Sequence, residues 1–348
     1  MIKNILIIPT SVDKFAWVIS GLIQSDGSFY VKILTSPKSS KISILPFLTI
    51  SLTMGPSSIF RSEGGSLYLL QIVKRYFGCG SIYIDSKRNM CTFTVSDLNS
   101  LWNIILPHFC KYPLTGSKYI NFIIFVEILI LLYPWRNKVK PNEVVAKCLK
   151  KAWEINKNNR PKNAKRSYED LSKLFKKINV NIDMKPFSIL DLRSFILLSP
   201  ISFLNSYFLI GVIEGDGSFY IGLRPNRKLR FGFNITTHID DLDLLYRIKF
   251  FLNCGIVRIT GKNYCRYEVE GTKQLLNLFI PLVCSIGLIG AKSINFQLFK
   301  EALKLYANNE HKTEVGFNKI LKLAYSTPQS DKNKKLTINE YLEKYPKT

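Results

Sequence analysis

Ile19-Ser-Gly-Leu-Ile-Gln-Ser-Asp-Gly27 returns, with conservative changes, as Leu209-Ile-Gly-Val-Ile-Glu-Gly-Asp-Gly217. Each copy is an apolar run that closes on Asp-Gly and continues into Ser-Phe-Tyr, so Asp-Gly-Ser-Phe-Tyr stands at Asp26–Tyr30 and again at Asp216–Tyr220. A single Asp-Gly is an ordinary turn signal. The flanking sequence decides the matter. Cys79-Gly80 precedes Ser-Ile-Tyr-Ile, and Cys254-Gly255 precedes Ile-Val-Arg-Ile. Cys91 lies in Met-Cys-Thr-Phe-Thr-Val and Cys265 in Tyr-Cys-Arg-Tyr-Glu-Val. Pro107 with Cys110 recurs as Pro281 with Cys284, and each is followed by a lysine, Lys118 or Lys292, that opens Lys-x-Ile-Asn-Phe. The interval from Cys79 to Lys118 matches that from Cys254 to Lys292 to within one residue. The chain contains a duplicated unit.

Each unit carries the same order of periodic patterns. An apolar helix ends at Asp-Gly, with glycine at its exit. Two strands follow, Ser28–Leu34 with Ile44–Met54, and Ser218–Leu223 with Leu229–His238. A helix comes next, Ser66–Phe77 or Asp240–Leu252, then two short strands, then helices that end in the Lys-x-Ile-Asn-Phe helix. The order is αββαββα, twice. This is an α+β pattern of antiparallel hairpins. The first unit has the longer path from its aspartate to its first cysteine, and the excess falls in the Gly/Pro/Ser-rich loop near Ser57–Gly65.

Charge narrows the partner. The 348 residues hold 49 Lys+Arg against 25 Asp+Glu, a net charge of +24, with 47% hydrophobic residues to build a core. Self-repulsion on that scale fits a protein whose usual partner is a polyanion. The basic residues are spread along folded-looking sequence rather than gathered on one amphipathic helix, which favours nucleic acid over a membrane surface. Tyr119–Trp135 is the most membrane-like run. Asn121 and Glu127 interrupt it, it falls short of roughly 20 apolar residues, and it reads as a buried helix, so no membrane is expected. The seven cysteines form no CxxC or Cys/His cluster, which argues against zinc and a disulfide framework. Met1–Thr10 has neither a secretory nor a transit pattern.

Between the units, Arg136–Arg193 holds 16 Lys/Arg and 6 Asp/Glu. Short helices are expected at Glu143–Asn156 and Tyr168–Ile178 within a basic linker, whose plain reading is a solvated spacer and whose sharper one is contact with the polyanion backbone. The C-terminal stretch from Thr327 is polar and basic, with a small helix expected at Thr337–Lys344. The organisation read from sequence is a first repeat over 12–133, a linker over 134–200, a second repeat over 201–323, and a basic tail over 324–348.

The two aspartates are the chemical centre of this reading. Asp26 and Asp216 end equivalent helices. If the units pack about a pseudo-twofold axis through those helices, both carboxylates approach the axis. Gly21 and Gly211, five residues earlier, would allow the backbones to close. Two carboxylates on a cation-rich surface suit Mg2+, a hard ion that takes carboxylate oxygens, phosphate oxygens and water. Such an ion supports in-line displacement at phosphorus.

The two quoted segments resemble the paired motifs of the LAGLIDADG homing endonucleases. His108-Phe-Cys-Lys-Tyr-Pro-Leu-Thr-Gly-Ser-Lys118 is similar to the segment around that family's basic position, and Glu310-His-Lys-Thr-Glu-Val-Gly-Phe-Asn-Lys-Ile320 to a stretch near the end of many single-chain members. The resemblance covers Val12–Tyr133 and Ile201–Leu323. It implies a monomer of two pseudo-symmetric αββαββα repeats, with motif helices at the repeat interface and antiparallel β-saddles astride a long asymmetric DNA site. It implies divalent metal at Asp26 and Asp216, with Mg2+ or Mn2+ productive and Ca2+ a non-productive substitute. It maps the basic position to Lys118 and Lys292, where an ammonium group would polarise water or offset charge at the phosphorus. Gln24 stands where the motif's first acid would be and Glu214 is its counterpart; that inner position is not the metal-binding one.

DNA reading would fall to alternating strand side chains: Ser28, Tyr30, Lys32, Thr49, Ser51 and Thr53 in the first unit. In the second they are Ser218, Tyr220, Arg224, Arg230, Asn234, Thr236 and His238. A two-stranded ribbon fits the major groove, where Arg reads guanine and Asn reads adenine. The leading function is an intron-encoded, metal-dependent, site-specific double-strand DNA endonuclease. Two others stay open: an RNA maturase that binds its own group I intron, alone or beside cleavage, and a catalytically silent DNA-binding protein. By family analogy and by its Ile/Lys/Asn-rich composition, the expected compartment is a mitochondrion that encodes the protein itself.

Overall fold

A computed structural model describes residues 11–36, 40–54, 65–156, 167–180, 204–326 and 336–346. Helix α1 (Val12–Asp26) starts where the Ser11 side chain accepts the Lys14 N–H at 3.3 Å, and ends at Gly27. Its near-twin α7 (Ser206–Asp216) starts at Asn205, whose side chain accepts the Phe208 N–H at 2.9 Å, and ends at Gly217. Both helices are apolar all round their middle turns because both are buried all round. They pack on one another along the seam between the repeats.

From the Asp-Gly of each helix the chain enters a sheet without a loop. In repeat one β1 (Gly27–Thr35) pairs with β2 (Ile42–Thr53), and after α2 (Ser66–Phe77) β3 (Ser81–Asp85) pairs with β4 (Met90–Val95). In repeat two β5 (Gly217–Leu223) pairs with β6 (Leu229–His238), and after α8 (Leu242–Leu252) β7 (Ile256–Ile259) pairs with β8 (Tyr264–Val269). The strand orders are β1-β2-β4-β3 and β5-β6-β8-β7, antiparallel throughout. Strand alternation does the sorting. Phe29, Leu48, Ile50, Cys91 and Phe93 are buried on the inner face of the first sheet, and Phe219, Phe233, Ile235, Cys265 and Tyr267 on that of the second.

The inner faces are closed by helices that are also duplicated. A π-helical turn, Leu101–Ile105 or Leu275–Phe279, runs into α3 (Leu106–Lys111) or α9 (Ile280–Ile286), each with proline in its first turn. Proline has no N–H to donate, and a widened turn lies directly upstream in both repeats. The lysine helices follow, α4 (Gly116–Leu132) and α10 (Lys292–Ala307). Helix α4 with its short extension to Trp135 is long and apolar enough to cross a membrane by length and composition. It buries Asn121, Phe122, Phe125, Ile128, Leu129 and Leu132 inside this fold. One continuous apolar cluster runs from Phe29 and Phe125 across Leu22 and Val212 to Phe219 and Phe299.

The solvated-spacer reading of the linker fails at its first helix. Helix α5 (Asn142–Glu154) lies against α4 and buries Val145, Ala146, Cys148, Leu149, Ala152 and Trp153. Asn156, expected as the last helical residue, instead leaves the helix at φ 54°. Its N–H donates to Asn121 Oδ1 at 2.7 Å and its side-chain amide to the Phe29 carbonyl at 2.6 Å. Asparagine tolerates that left-handed backbone better than other side chains. Helix α6 (Tyr168–Lys177) follows, and Lys177 reaches the Ser36 carbonyl at the β1–β2 hairpin. The C-terminal part is also docked. After α11 (Glu314–Tyr325), α12 (Ile338–Lys344) seats Tyr341 beside Phe317 and Leu321, and the Tyr341 hydroxyl donates to the Arg224 carbonyl at 2.6 Å. The inserted loop expected at Ser57–Gly65 lies, apart from Gly65, outside the described residues.

Candidate active site

Gly21 and Gly211 face each other across the helix seam. A methyl group on Gly21 would overlap the Phe208 carbonyl oxygen, and one on Gly211 would overlap that of Val18. No side chain fits at either point, so the backbones touch there. One turn later the same closeness brings the helix ends together. Asp26 Oδ2 lies 3.0 Å from where a Gly215 β-carbon would stand, and the Ser25 hydroxyl donates across the seam to the Val212 carbonyl at 3.3 Å.

The electrostatics carry the mark of that approach. Burial pushes the Asp216 carboxyl up to about 7, with the charge of Asp26 as the next cause. Asp26 is raised by burial too, against the pull of Lys292 and Lys118. Both lysines are pulled down by burial and held up by Asp26 and Asp216. Lys118 donates to the Gly27 carbonyl; Lys292 donates to the Gly215 carbonyl at 2.9 Å and to that of Gly217. Each ammonium group therefore braces the Asp-Gly end of its own repeat's motif helix.

Among the described residues no group of three or more His, Cys, Asp or Glu gathers as a metal centre. The chain offers two carboxylates with partial exposure, which fits a hard cation that keeps water and takes phosphate oxygens for its remaining positions. The inner motif positions do different work. Gln24 accepts the Thr115 N–H at 2.9 Å and returns an amide hydrogen to the Thr115 carbonyl at 3.2 Å. Glu214 Oε1 accepts the N–H groups of Ile289 and, at 2.9 Å, Gly290. Both side chains pin the loop ahead of a lysine helix.

On the open faces of the sheets, register sets the neighbours. In the first sheet Ser28 lies opposite Thr49, Tyr30 opposite Phe47, and Lys32 opposite Leu45. The Tyr30 and Phe47 rings stack at 4.9 Å, and Ser51 shares a hydrogen bond with Thr92 at 3.0 Å. Thr53 ends β2, exposed. In the second sheet Ser218 lies opposite Asn234, and Tyr220 folds over Gly232 to donate to Glu268 at 3.0 Å and to Glu270. Arg230 pairs with Glu270, and Thr236 accepts from Arg266 Nε at 3.0 Å. His238 contacts Asp240 at 3.2 Å. Arg224 stands past the end of β5, in the turn to β6.

The outer hairpins add residues absent from the sequence-based set. Thr92, Thr94 and Tyr83 share the open face of the first sheet; Arg258, Tyr264, Arg266 and Glu268 share that of the second. Their signal was alternation. With Cys265, Tyr267 and Val269 inward, Arg266 and Glu268 must point outward.

The family model described as LAGLIDADG endonuclease matches this chain twice, over residues 19–129 and 209–303. The chain belongs to the LAGLIDADG endonuclease family. Both Asp-Gly helix ends, both sheets and both lysines lie within the matched LAGLIDADG segments. The chain is 29% identical over 313 residues to probable intron-encoded endonuclease 2 of Neurospora crassa, covering 89% of this chain and 64% of that protein. It is 23% identical over 266 residues to probable intron-encoded DNA endonuclease 1 of Mycosarcoma maydis, covering 76% of this chain and 90% of that one. Among solved LAGLIDADG structures, I-LtrWI bound to target DNA superposes with a TM-score of 0.73 at 25% identity, over 92% of this chain and 99% of its own.

Proposed function

We propose that this LAGLIDADG protein is a site-specific, divalent-metal-dependent double-strand DNA endonuclease acting as a monomer. The observation that carries the reading is the convergence of Asp26 and Asp216 at the touching ends of α1 and α7, each one residue from the strand that opens a saddle. In this reading Asp26 and Asp216 hold the cation, Mg2+ or Mn2+ in productive form. When bound, the cation supplies Lewis acidity at the scissile phosphate. Lys118 and Lys292, one for each strand, orient water and offset charge developing on the phosphate. The open faces of both sheets seat the duplex, with Arg230, Arg266 and Asn234 able to read base edges in the major groove. The net charge of +24 supplies the non-specific attraction. Relatives named as intron-encoded in two fungi, together with the Ile/Lys/Asn-rich composition, support a mitochondrial origin.

A supercoiled plasmid carrying the host gene's intronless junction tests this. The expected result is one Mg2+-dependent double-strand cut, lost in Asp26→Asn and in Asp216→Asn while binding persists. Retention of the plasmid without scission by the wild-type protein would favour a silent binder. Selective binding of the intron RNA with restored splicing would favour a maturase, a role the basic linker surface could serve beside cleavage. Cutting by both variants at the wild-type rate would remove the aspartates from the chemistry.

A further inference from the structure

Helix α4 carries Lys118 in its first turn, yet the residue placed to cap it does not do so. Thr115 makes no capping hydrogen bond, and its hydroxyl is buried without a partner among the described residues. Asp241, from the other repeat, takes over. Its Oδ1 accepts the Ser117 N–H at 2.9 Å and its Oδ2 accepts the Ser117 hydroxyl at 3.0 Å. Gly116 holds a left-handed backbone at φ 53°, and a β-carbon there would lie 2.7 Å from Asp241 Oδ1. The carboxylate is 6% exposed. A charge that deep requires donors and an opposite charge around it. Ser117 provides the donors and Lys118 the charge.

The second lysine helix begins differently. Helix α10 starts at Lys292 itself, its cap residue is Ala291, and among the described residues its Ser293 N–H goes to the backbone carbonyl of Gly290 at 3.0 Å rather than to a side chain. Asp241 is also tied to DNA reading by position, because it closes the turn Ile239–Asp241 that directly follows β6 and His238. It thus joins an open-face strand of repeat two to the lysine of repeat one.

We propose that Asp241 is a positioning residue for Lys118: it fixes the first turn of α4 from across the repeat seam, so that cutting of one DNA strand depends on it and cutting of the other does not. The inference rests on the cleavage reading above. It predicts an asymmetry that the duplicated motifs alone would not produce.

The test is strand-resolved cleavage of a target duplex labelled on each strand in turn. Asp241→Ala is expected to slow one strand about ten- to a hundredfold, as small misplacements of reacting groups do. The slowed strand should be the one slowed by Lys118→Ala, and nicked duplex should accumulate. Asp241→Asn keeps an oxygen for the Ser117 N–H and should restore most of the rate. Equal slowing of both strands, or slowing of the strand sensitive to Lys292→Ala, overturns the proposal. Amide hydrogen exchange supplies a readout independent of cleavage. Asp241→Ala should speed exchange at Ser117 and leave Ser293 unchanged; unchanged exchange at Ser117 overturns the proposal even if the wild-type protein cuts nothing. Should Asp241→Ala not fold, Asp241→Leu, close to aspartate in size but without an acceptor for the Ser117 N–H, takes its place in the same two measurements.

Discussion

Gln24 and Glu214 occupy the same place in the two repeats and brace equivalent loops with opposite chemistry. The amide of Gln24 gives and takes a hydrogen bond at Thr115. The carboxylate of Glu214 only takes, through Oε1, and Oε2 is buried without a partner among the described residues. A buried unpaired oxygen costs about 1–3 kcal/mol. Glu214→Gln should therefore leave thermal stability unchanged or raise it, whereas Glu214→Ala, which strands two loop N–H groups, should lower it by several degrees. Calorimetry on the two variants checks both; a larger loss for Gln than for Ala would contradict the pairing.

The contact of Gly21 with Phe208 leaves no room for a methyl group. Gly21→Ala or Gly211→Ala should cost about 1–3 kcal/mol, as overpacking does, and should part the carboxylates at the helix ends. Cleavage should fall further than stability. Denaturant unfolding and plasmid cutting measured on the same preparation would reveal the difference, and wild-type behaviour in both would mean that the seam is looser than the geometry indicates.

His108 gives a pH signature. Its Nδ1 meets the Tyr76 hydroxyl at 3.0 Å and its Nε2 meets Ser20 Oγ at 3.1 Å. Ser20 spends its own proton on the Tyr112 carbonyl, which makes Nε2 the donor, and in the neutral ring that burial favours the Tyr76 hydroxyl donates to the bare Nδ1. Burial holds the ring's pKa down to about 3, from 6.5. The unfolded chain binds the proton first, so this contribution is complete above pH 6.5. It is lost at about 1.4 kcal/mol per pH unit below that, until the folded ring titrates near 3. His108→Phe should be less stable at pH 7.5 but should decline less steeply from pH 6.5 to 4. Parallel urea midpoints across that range would refute the assignment.

Arg230 shields two carboxylates on the open face of the second sheet, Glu268 and Glu270. Arg230→Ala would leave both turned toward a polyanion. DNA affinity should fall at least about tenfold, since a lost base or phosphate contact is worth about 1–3 kcal/mol. Adding Glu270→Gln should recover part of it. Fluorescence anisotropy over a salt series measures the effect; unchanged affinity in Arg230→Ala would place these residues outside the interface, and no recovery in the double variant would rule out exposure of Glu270 as the cause of the loss.

What the sequence makes legible follows from periodic patterns. Alternation around Phe29, Cys91, Phe233 and Cys265 is local, and the duplicated spacing ties it to the paired Asp-Gly ends. Contacts between polar residues far apart in the chain leave no such trace. Asn156 to the Phe29 carbonyl, Asp241 to Ser117 and Tyr341 to the Arg224 carbonyl each depend on a path that only the packed chain defines. The linker illustrates the difference. Short helices are expected there, but the excess of lysine and arginine conceals an apolar stripe that belongs inside.

The apolar cluster shared by both repeats means that neither half owns a complete interior. Severing the molecule within 181–203 would bare the Leu22 flank of one fragment and the Val212 flank of the other. Those flanks, notched by glycine at matching heights, are complementary to each other. Such fragments should find one another in solution, and a chain of this design is most naturally understood as a dimer whose partners were sewn together.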